Sequence, residues 1–180
     1  MKKLLGLLLA NSLLIGSVHA KSIEEVISEV EKMAAEPVVI QAVKAQNAKK
    51  LTLEKIQEID KAWQAADENT LLPIMKENLE HPASKVLLKL EKASPYLRES
   101  ILTDNQGANV AITNRTSDYW QGDEPKFTEA WAGGKGKVYL ARPKVDESTK
   151  EKLSQISVPV RDGTNTIGTL TVGVILSKLQ

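Results

Sequence analysis

The large aromatic side chains of this chain are concentrated in one short segment. The 180 residues include only three Trp, three Tyr and one Phe, and five of these seven lie between positions 119 and 139. An aromatic ring gives a binding pocket an apolar wall, and Tyr and Trp add one polar atom at its rim. The same rings can equally fill a core that has few other large side chains. Both interpretations stay open for the candidate ligand-binding rings Tyr119, Trp120, Trp131 and Tyr139.

Charged side chains near these rings could hold the polar end of a ligand. A bound carboxylate needs a cationic donor, because burying an unpaired charge is costly, and the guanidinium group of Arg offers two parallel hydrogen bonds. Lys126 and Arg142 are the candidate cations, although each could be an ordinary solvated charge. Asp118 and Asp146 could accept hydrogen bonds from a ligand amine or hydroxyl group, or bond instead to the backbone of their own turns.

The rest of the composition argues against catalysis, metal binding and nucleic-acid binding. The chain has no cysteine and only two histidines, His19 and His81, which excludes disulfides, thiolate zinc sites and cysteine nucleophiles. No nucleophile elbow is present, and the Gly-rich run 133–137 lacks phosphate-loop spacing. The 24 basic and 23 acidic residues nearly balance, whereas nucleic-acid binders carry a clustered basic excess. We therefore predict a protein that is not an enzyme and has no metal or cofactor.

The first twenty residues are typical of a cleavable secretory signal. A basic start precedes an apolar run over residues 4–18, and Val18-His19-Ala20 forms a small-x-small cleavage site. The alternative is a membrane anchor, but spanning a bilayer takes roughly 20 apolar residues. We expect cleavage after Ala20, which leaves residues 21–180 as one domain in a bacterial periplasm with no stable membrane insertion.

The mature chain divides into a helical part, 21–102, and a strand-rich part, 103–180. Ser22 and Glu25 form a capping box at the first helix. Thr52 can cap another helix, and Pro37 is expected to kink or restart the first. Shorter helices are predicted near residues 70–80 and 84–102.

Beyond residue 102 the alternation of apolar residues predicts strands. The candidates are residues 109–113, 137–142, 155–160 and 167–176, with one helix at 123–132. The last two strands should form an antiparallel hairpin in which Val158, Val172 and Val174 face inward. The predicted class is α+β, with a long N-terminal helix and further helices packed on an antiparallel sheet.

Several sequence runs resemble the single Cache sensor domains of bacterial receptors, which are PAS-like and of the PDC type. The specific runs are Thr116-Ser-Asp-Tyr-Trp-Gln-Gly-Asp-Glu124 and Val145-Asp-Glu-Ser-Thr149. Other segments share the resemblance: Asp104-x-x-Gly107-x-x-Val110-Ala111, residues 38–47, Ile59-Asp-Lys-Ala-Trp63, Ile156-Ser-Val-Pro-Val160 and Ile167-Gly168. Together they cover nearly all of residues 23–176.

This resemblance implies a five- to six-stranded antiparallel sheet and a small-molecule pocket roofed by the segment between the second and third strands. With the candidate cations Lys126 and Arg142, it leads to the hypothesis of a periplasmic sensor module that binds a small organic molecule, with a short carboxylate as the expected ligand. Such domains usually lie between two membrane spans, so a free-standing module would relay occupancy to a separate membrane receptor, kinase or cyclase. The alternative is a non-catalytic interaction or assembly module whose pocket has degenerated.

Overall fold

The computed structural model describes residues 21–145 and 150–179. The predicted signal sequence and Asp146 therefore lie outside the described residues. Within them the helices are α1 (Ile23–Ala34), α2 (Pro37–Ala48), α3 (Leu53–Ala65), α4 (Pro73–Glu80), α5 (Pro82–Ala93) and α6 (Pro125–Trp131). The strands are β1 (Leu97–Thr103), β2 (Asn109–Ile112), β3 (Tyr139–Leu140), β4 (Lys144–Val145), β5 (Lys152–Asp162) and β6 (Asn165–Ile175).

The first helices begin where the sequence signals predicted. The Ser22 hydroxyl accepts a hydrogen bond from the amide of Glu25 at 3.2 Å, and the Glu25 carboxylate accepts from the amide of Ser22 at 2.7 Å. The capping box is therefore confirmed. Thr52 caps α3 by accepting from the amide of Lys55 at 3.3 Å. Pro37 restarts the chain as the first residue of α2, a position where the missing proline N–H costs nothing.

The prediction of a helix over residues 84–102 is wrong beyond Ala93. The helix α5 ends there, and Leu97–Thr103 forms the strand β1. Pro95 cannot continue a helix and holds Ser94 in an extended conformation, with φ −121° and ψ 110°. The strand then pairs with β2 on one side and β6 on the other. Two hydrogen-bonded neighbours outweigh the weak helical preference of this short run.

The six strands form one antiparallel sheet in the order β2-β1-β6-β5-β3, with β4 also pairing with β5. The α+β prediction is confirmed. The predicted hairpin is confirmed as well, since β5 and β6 are antiparallel neighbours with Ile156 opposite Val172 and Val158 opposite Leu170. Both strands are longer than predicted, at 11 residues each.

One face of the sheet packs on α1, α2 and α5 to form the main hydrophobic core. The side chains predicted to face inward, Val158, Val172 and Val174, are fully buried there. Because side chains alternate along a strand, the residues between them belong to the opposite face. On that second face Ser157 and Thr171 bond to each other through their hydroxyl groups at 2.8 Å.

The second face is covered unevenly. Toward β2 it carries a second apolar cluster formed by Ile56, Trp63, Met75, Ile101, Ala108, Ile112 and Tyr119, which we call the aromatic cluster. In the middle α6 packs on β5 and β6. Toward β3 and β4 the face is left partly open. No helix in residues 21–145 and 150–179 is long and apolar enough to cross a membrane.

Candidate functional site

A cavity of about 600 Å³ lies on the second face of the sheet, at the β5 edge. It is lined by β1, β5 and β6, by the start of α6 and by the segment that contains β3 and β4, and we call it the edge cavity. Residues 124–145, which include the start of α6 and these two short strands, are called the roof here, although β3 and β4 pair with β5 in the sheet. The lining residues that carry polar or aromatic groups are Arg98, Glu99, Glu124, Lys126, Tyr139, Arg142, Lys144, Ser154 and Gln155.

The roof is attached to the sheet at both of its ends. At the first end Phe127 and Ala130 of α6 are buried. The chain then reverses through Gly133, Gly134 and Gly136, all with positive φ, a conformation that glycine adopts without strain. The guanidinium group of Arg161 donates to the carbonyl oxygen of Gly136 at 3.0 Å and fastens this turn to the β5–β6 hairpin.

At the second end the roof pairs with β5. Tyr139 lies opposite Ser157 and Lys144 lies opposite Leu153. Between these two pairs the Ala141 carbonyl oxygen accepts from the Ser154 hydroxyl at 2.8 Å. These bonds bring Tyr139, Arg142 and Lys144 to the cavity although the regular strands here are only two residues long.

Some of the cations around the cavity already form ion pairs or hydrogen bonds within the protein, and others do not. Lys126 lies 2.9 Å from a carboxylate oxygen of Glu124, and its side chain is only 13% exposed. The Arg98 guanidinium donates to the carbonyl oxygen of Leu97 at 2.9 Å. Arg142 and Lys144 are exposed and make no ion pair or side-chain hydrogen bond within the part of the chain that the structure describes. These two cations are therefore available to an incoming anion.

Glu99 is the cavity carboxylate that has no partner among the described residues. Burial raises the pKa of its carboxyl group, because removing the charged form from water is unfavourable. The positive charge of Lys126 opposes this rise, and the negative charges of Glu91 and Glu124 add to it.

Three of the eight residues predicted for the ligand site line the edge cavity: Lys126, Tyr139 and Arg142.

Tyr119 is placed elsewhere, fully buried in the aromatic cluster with its ring 5.7 Å from that of Trp63. Its hydroxyl accepts from the side-chain amide of Gln46 at 3.3 Å. Burial raises the pKa of Tyr119, with a further rise from the charge of Asp104. The phenol is thus a packed, neutral group.

Trp120, Asp118 and Trp131 also lie away from the cavity lining. The Trp120 indole donates to the carbonyl oxygen of Gln106 at 2.8 Å, and Asp118 accepts from the side-chain amide of Gln121 at 2.6 Å. Trp131 stacks on Phe127 at 5.9 Å between ring centroids. Asp146 falls outside the described residues, so its position relative to the cavity stays a prediction.

One carboxylate explains why the Tyr119–Trp120 segment turns away from the cavity. Asp60 of α3 accepts the backbone N–H groups of both residues through one oxygen, at 2.8 and 3.0 Å. The segment is thereby held against α3. Asp60 lies in the Ile59–Trp63 run that contributed to the sequence resemblance. Its contact with Tyr119 and Trp120 could not be predicted from the sequence, because these residues are 59 and 60 positions away.

Sequence reasoning missed the contribution of β1 to the site. Arg98 and Glu99 line the cavity, yet their segment was predicted as the end of a helix. The sequence does contain a signal for the end of the helix, the Ser94-Pro95 dipeptide, because the residue before a proline favours an extended conformation. The strand that follows begins at Leu97.

Comparisons with known proteins return matches among solved structures only. No family model matches the chain, and no curated protein matches it. The matches include the sensor domain of the histidine kinase DctB of V. cholerae, at 15% identity and TM-score 0.45, covering 87% of this chain and 52% of that one. They also include the ligand-binding domain of the Pseudomonas aeruginosa amino-acid chemoreceptor PctC in complex with GABA, at 14% identity and TM-score 0.40, covering 87% and 62%.

A third match is the ligand-binding domain of the Campylobacter jejuni chemoreceptor Tlp3 in complex with L-valine, at 13% identity and TM-score 0.40, covering 87% and 62%. The chain spans between half and two thirds of the length of these three structures. The first of these structures is a sensor domain of a histidine kinase, and the other two are ligand-binding domains of chemoreceptors.

Chemically, the edge cavity is suited to holding a small anion with an apolar part. Arg142 and Lys144 supply positive charge that no described residue pairs with, and Tyr139, Val145 and Leu153 supply apolar surface. Within the described residues no group of three or more His, Asp or Glu side chains could hold a metal ion.

Proposed function

We propose that this protein is an exported ligand-binding sensor module of the single Cache type, and that the edge cavity binds a short organic carboxylate. The observation that carries the proposal is that two cations, Arg142 and Lys144, line a cavity of about 600 Å³ and pair with no described residue. Pockets for small ligands usually combine an apolar lining with a few convergent polar groups. The cavity has both features.

In this function Arg142 is the main anion-binding group. Its planar guanidinium group can meet a carboxylate with two parallel hydrogen bonds. Lys126 adds positive charge at a less exposed position, although its ion pair with Glu124 already satisfies part of it. Tyr139 and Leu153 would contact the carbon skeleton of the ligand and exclude water from the ion pair.

The same proposal includes relay of occupancy to a membrane partner such as a receptor, kinase or cyclase. The roof segment pairs with β5, and β5 pairs with β6. The N-terminal helix α1 packs on β5 from the other face. A ligand held by Arg142 and Lys144 would therefore act on the segment that pairs with β5, the strand that packs against α1. Export to the periplasm, with cleavage after Ala20, belongs to this proposal.

A thermal-shift screen of the protein comprising residues 21–180 tests the binding function. Propionate, pyruvate, lactate and succinate are each added alone at increasing concentration. A ligand that binds only the native state stabilises it by about 2.7 kcal/mol at one hundred times its Kd. We expect at least one of these carboxylates to raise the melting temperature in a saturable way.

Two variants connect that result to the cavity. Arg142→Ala should abolish most of the stabilisation, and Arg142→Lys, which keeps the charge but loses the paired hydrogen bonds, should give an intermediate effect. Lys61→Ala on the exposed side of α3 is the matched control and should bind as the unmodified protein does. Absence of stabilisation by every carboxylate, or full stabilisation of Arg142→Ala, would contradict the proposal and favour an interaction module with a degenerate pocket.

A further inference from the structure

Glu99 stands out because a carboxylate is an unexpected group in an anion-binding cavity. It lies on β1, next to the open part of the second face, and it lines the edge cavity. Unlike Glu124, which pairs with Lys126 at 2.9 Å, it makes no hydrogen bond or ion pair within residues 21–145 and 150–179. A partly buried, unpaired carboxylate is unfavourable unless a ligand or a proton neutralises it.

The charged groups near Glu99 come from α5, from β1, from the start of α6 and from the segment that contains β3 and β4. Glu91 approaches from α5, and Glu124 and Lys126 approach from the start of α6. Arg98 precedes it on β1, while Arg142 and Lys144 belong to the roof. The cavity residues of β5 and β6 carry no ionisable side chain.

No one of these cations neutralises Glu99 at close range. Lys126 is committed to Glu124, and Arg98 bonds to backbone carbonyl groups. Burial and the two neighbouring carboxylates all favour its neutral form, as the raised pKa of Glu99 indicates.

We propose that the edge cavity binds a carboxylate together with one proton, and that Glu99 carries this proton. This inference rests on the proposed carboxylate-binding function. A ligand carboxylate beside an ionised Glu99 would place two like charges in one partly dehydrated cavity, which disfavours the second charge. A protonated Glu99 removes the repulsion, and its O–H group can donate a hydrogen bond to the ligand oxygen. One proton passes from solvent to Glu99, and no covalent bond to the ligand forms.

The direction of the pH dependence follows from this coupling. At pH values below the pKa of Glu99 in the empty protein, the proton is already present and affinity does not depend on pH. Above that pKa the proton must be taken up on binding, so affinity falls by up to about tenfold for each pH unit. The fall ends above the higher pKa that Glu99 has in the complex.

Isothermal titration calorimetry with pyruvate and with lactate tests the inference, because both stay ionised from pH 6 to pH 8. The unmodified protein should bind progressively more weakly as the pH is raised from 6 to 8. At an intermediate pH, two buffers with different ionisation enthalpies should reveal uptake of up to one proton per ligand. This proton count needs no variant, so it remains decisive even if a substitution prevents folding.

The variant Glu99→Gln keeps a hydrogen-bond donor but never carries a charge. It should bind the same carboxylate with nearly equal affinity at pH 6 and pH 8, and more tightly than the unmodified protein at pH 8. The matched control is Glu129→Gln, an exposed position on α6 that pairs with Lys137 outside the cavity. It should keep the pH dependence of the unmodified protein.

The outcomes separate this inference from the function on which it rests. Binding with pH-independent affinity and no proton uptake would leave the proposed function standing and overturn the inference. Loss of binding by a folded Glu99→Gln protein would also overturn it, because Glu99 would then be the acceptor for a cationic group of the ligand. If the unmodified protein binds no carboxylate at either pH, the proposed function and the inference both fail.

Discussion

The second face of the sheet is covered in two contrasting ways. Near β2 the aromatic cluster is closely packed, with Trp63 and Tyr119 fully buried. Near β5 the edge cavity leaves Arg142 and Lys144 exposed and without partners in the described chain. Aromatic residues were the first indication of a pocket in the sequence, yet Tyr119 and Trp120 belong to the packed region, and Tyr139 is the candidate ring that lines the cavity. The available cations lie at the open region.

The packed region and the cavity also differ in whether their polar groups have hydrogen-bond partners. In the packed region the Trp63 indole donates to the carbonyl oxygen of Thr116 at 2.9 Å, and Asp60 holds the backbone of Tyr119 and Trp120. Buried polar groups with partners support the structure. In the cavity Glu99 and Arg142 have no such partners among the described residues, so they are the groups that a ligand can engage. For these particular residues, pairing within the described chain distinguishes Trp63 and Asp60 in the packed region from Glu99 and Arg142 in the cavity.

The largest expected effect is the loss of stability caused by Trp63→Ala. The indole ring is fully buried, and truncation of a buried aromatic side chain typically costs about 3–5 kcal/mol. Urea unfolding should show this loss. Carboxylate affinity of the folded fraction should stay unchanged, because Trp63 does not line the cavity. A reduced affinity would show that the two regions are not independent.

The next largest effect is a difference in stability between variants of two carboxylates, Asp104 and Glu99. Burial is the main cause of the raised pKa of both. Asp104 accepts backbone N–H groups from Gln106 at 2.8 Å and Ala108 at 3.0 Å. Asp104→Ala should cost about 2 kcal/mol or more, because it leaves these donors unpaired. Glu99→Ala should cost far less, because no donor depends on that carboxylate. Chemical denaturation of both variants measures the difference, and equal losses would contradict the comparison.

Val172→Ala tests the sheet on which both regions rest. The side chain is fully buried in the main core, opposite Ser100 and Ile156. Removal of two buried methyl groups should lower the free energy of unfolding by about 2 kcal/mol. Differential scanning calorimetry measures the change. Unchanged stability would contradict the assignment of this position to the core.

Arg142→Ala should reduce carboxylate affinity and leave stability almost unchanged, whereas Trp63→Ala should reduce stability and leave affinity unchanged. The side chain is exposed and bonds to no described residue, so the melting temperature of the ligand-free protein should change little. A hydrogen bond to a charged group contributes about 1.5–3 kcal/mol, so the affinity for a bound carboxylate should fall about tenfold or more. Melting and titration curves of the same preparation provide the check.

The smallest expected effect is a pH-dependent gain in stability from Glu99→Gln. The pKa of Glu99 is raised in the folded protein, so the folded state binds more protons than the unfolded state at intermediate pH. Ionised Glu99 therefore destabilises the fold as pH rises above the unfolded pKa, and this destabilisation is complete above the folded pKa. Glu99→Gln should raise the melting temperature slightly at pH 8 and not at pH 4. A fall at pH 8 would indicate a bond that the structure does not contain.

Local signals predicted much of the fold correctly. The capping residues Ser22 and Thr52 and the helix start at Pro37 depend on contacts within a few positions, and the structure confirms them. The β5–β6 hairpin was equally predictable, since alternation and a turn sequence lie close together in the chain. The strand β1 was not predictable in this way, because its two partners are distant in sequence.

The sequence by itself determined the helix starts, the final hairpin, the α+β class and a short set of residues able to bind a small molecule. Only the tertiary structure decided which of these residues remain available. Asp60 anchors Tyr119 and Trp120 from a position 59 and 60 residues away, and β1 brings Glu99 into a cavity formed largely by residues 124–174. Hydrogen bonding and burial between distant segments depend on the complete fold, whereas residue spacing reports only on neighbours along the chain.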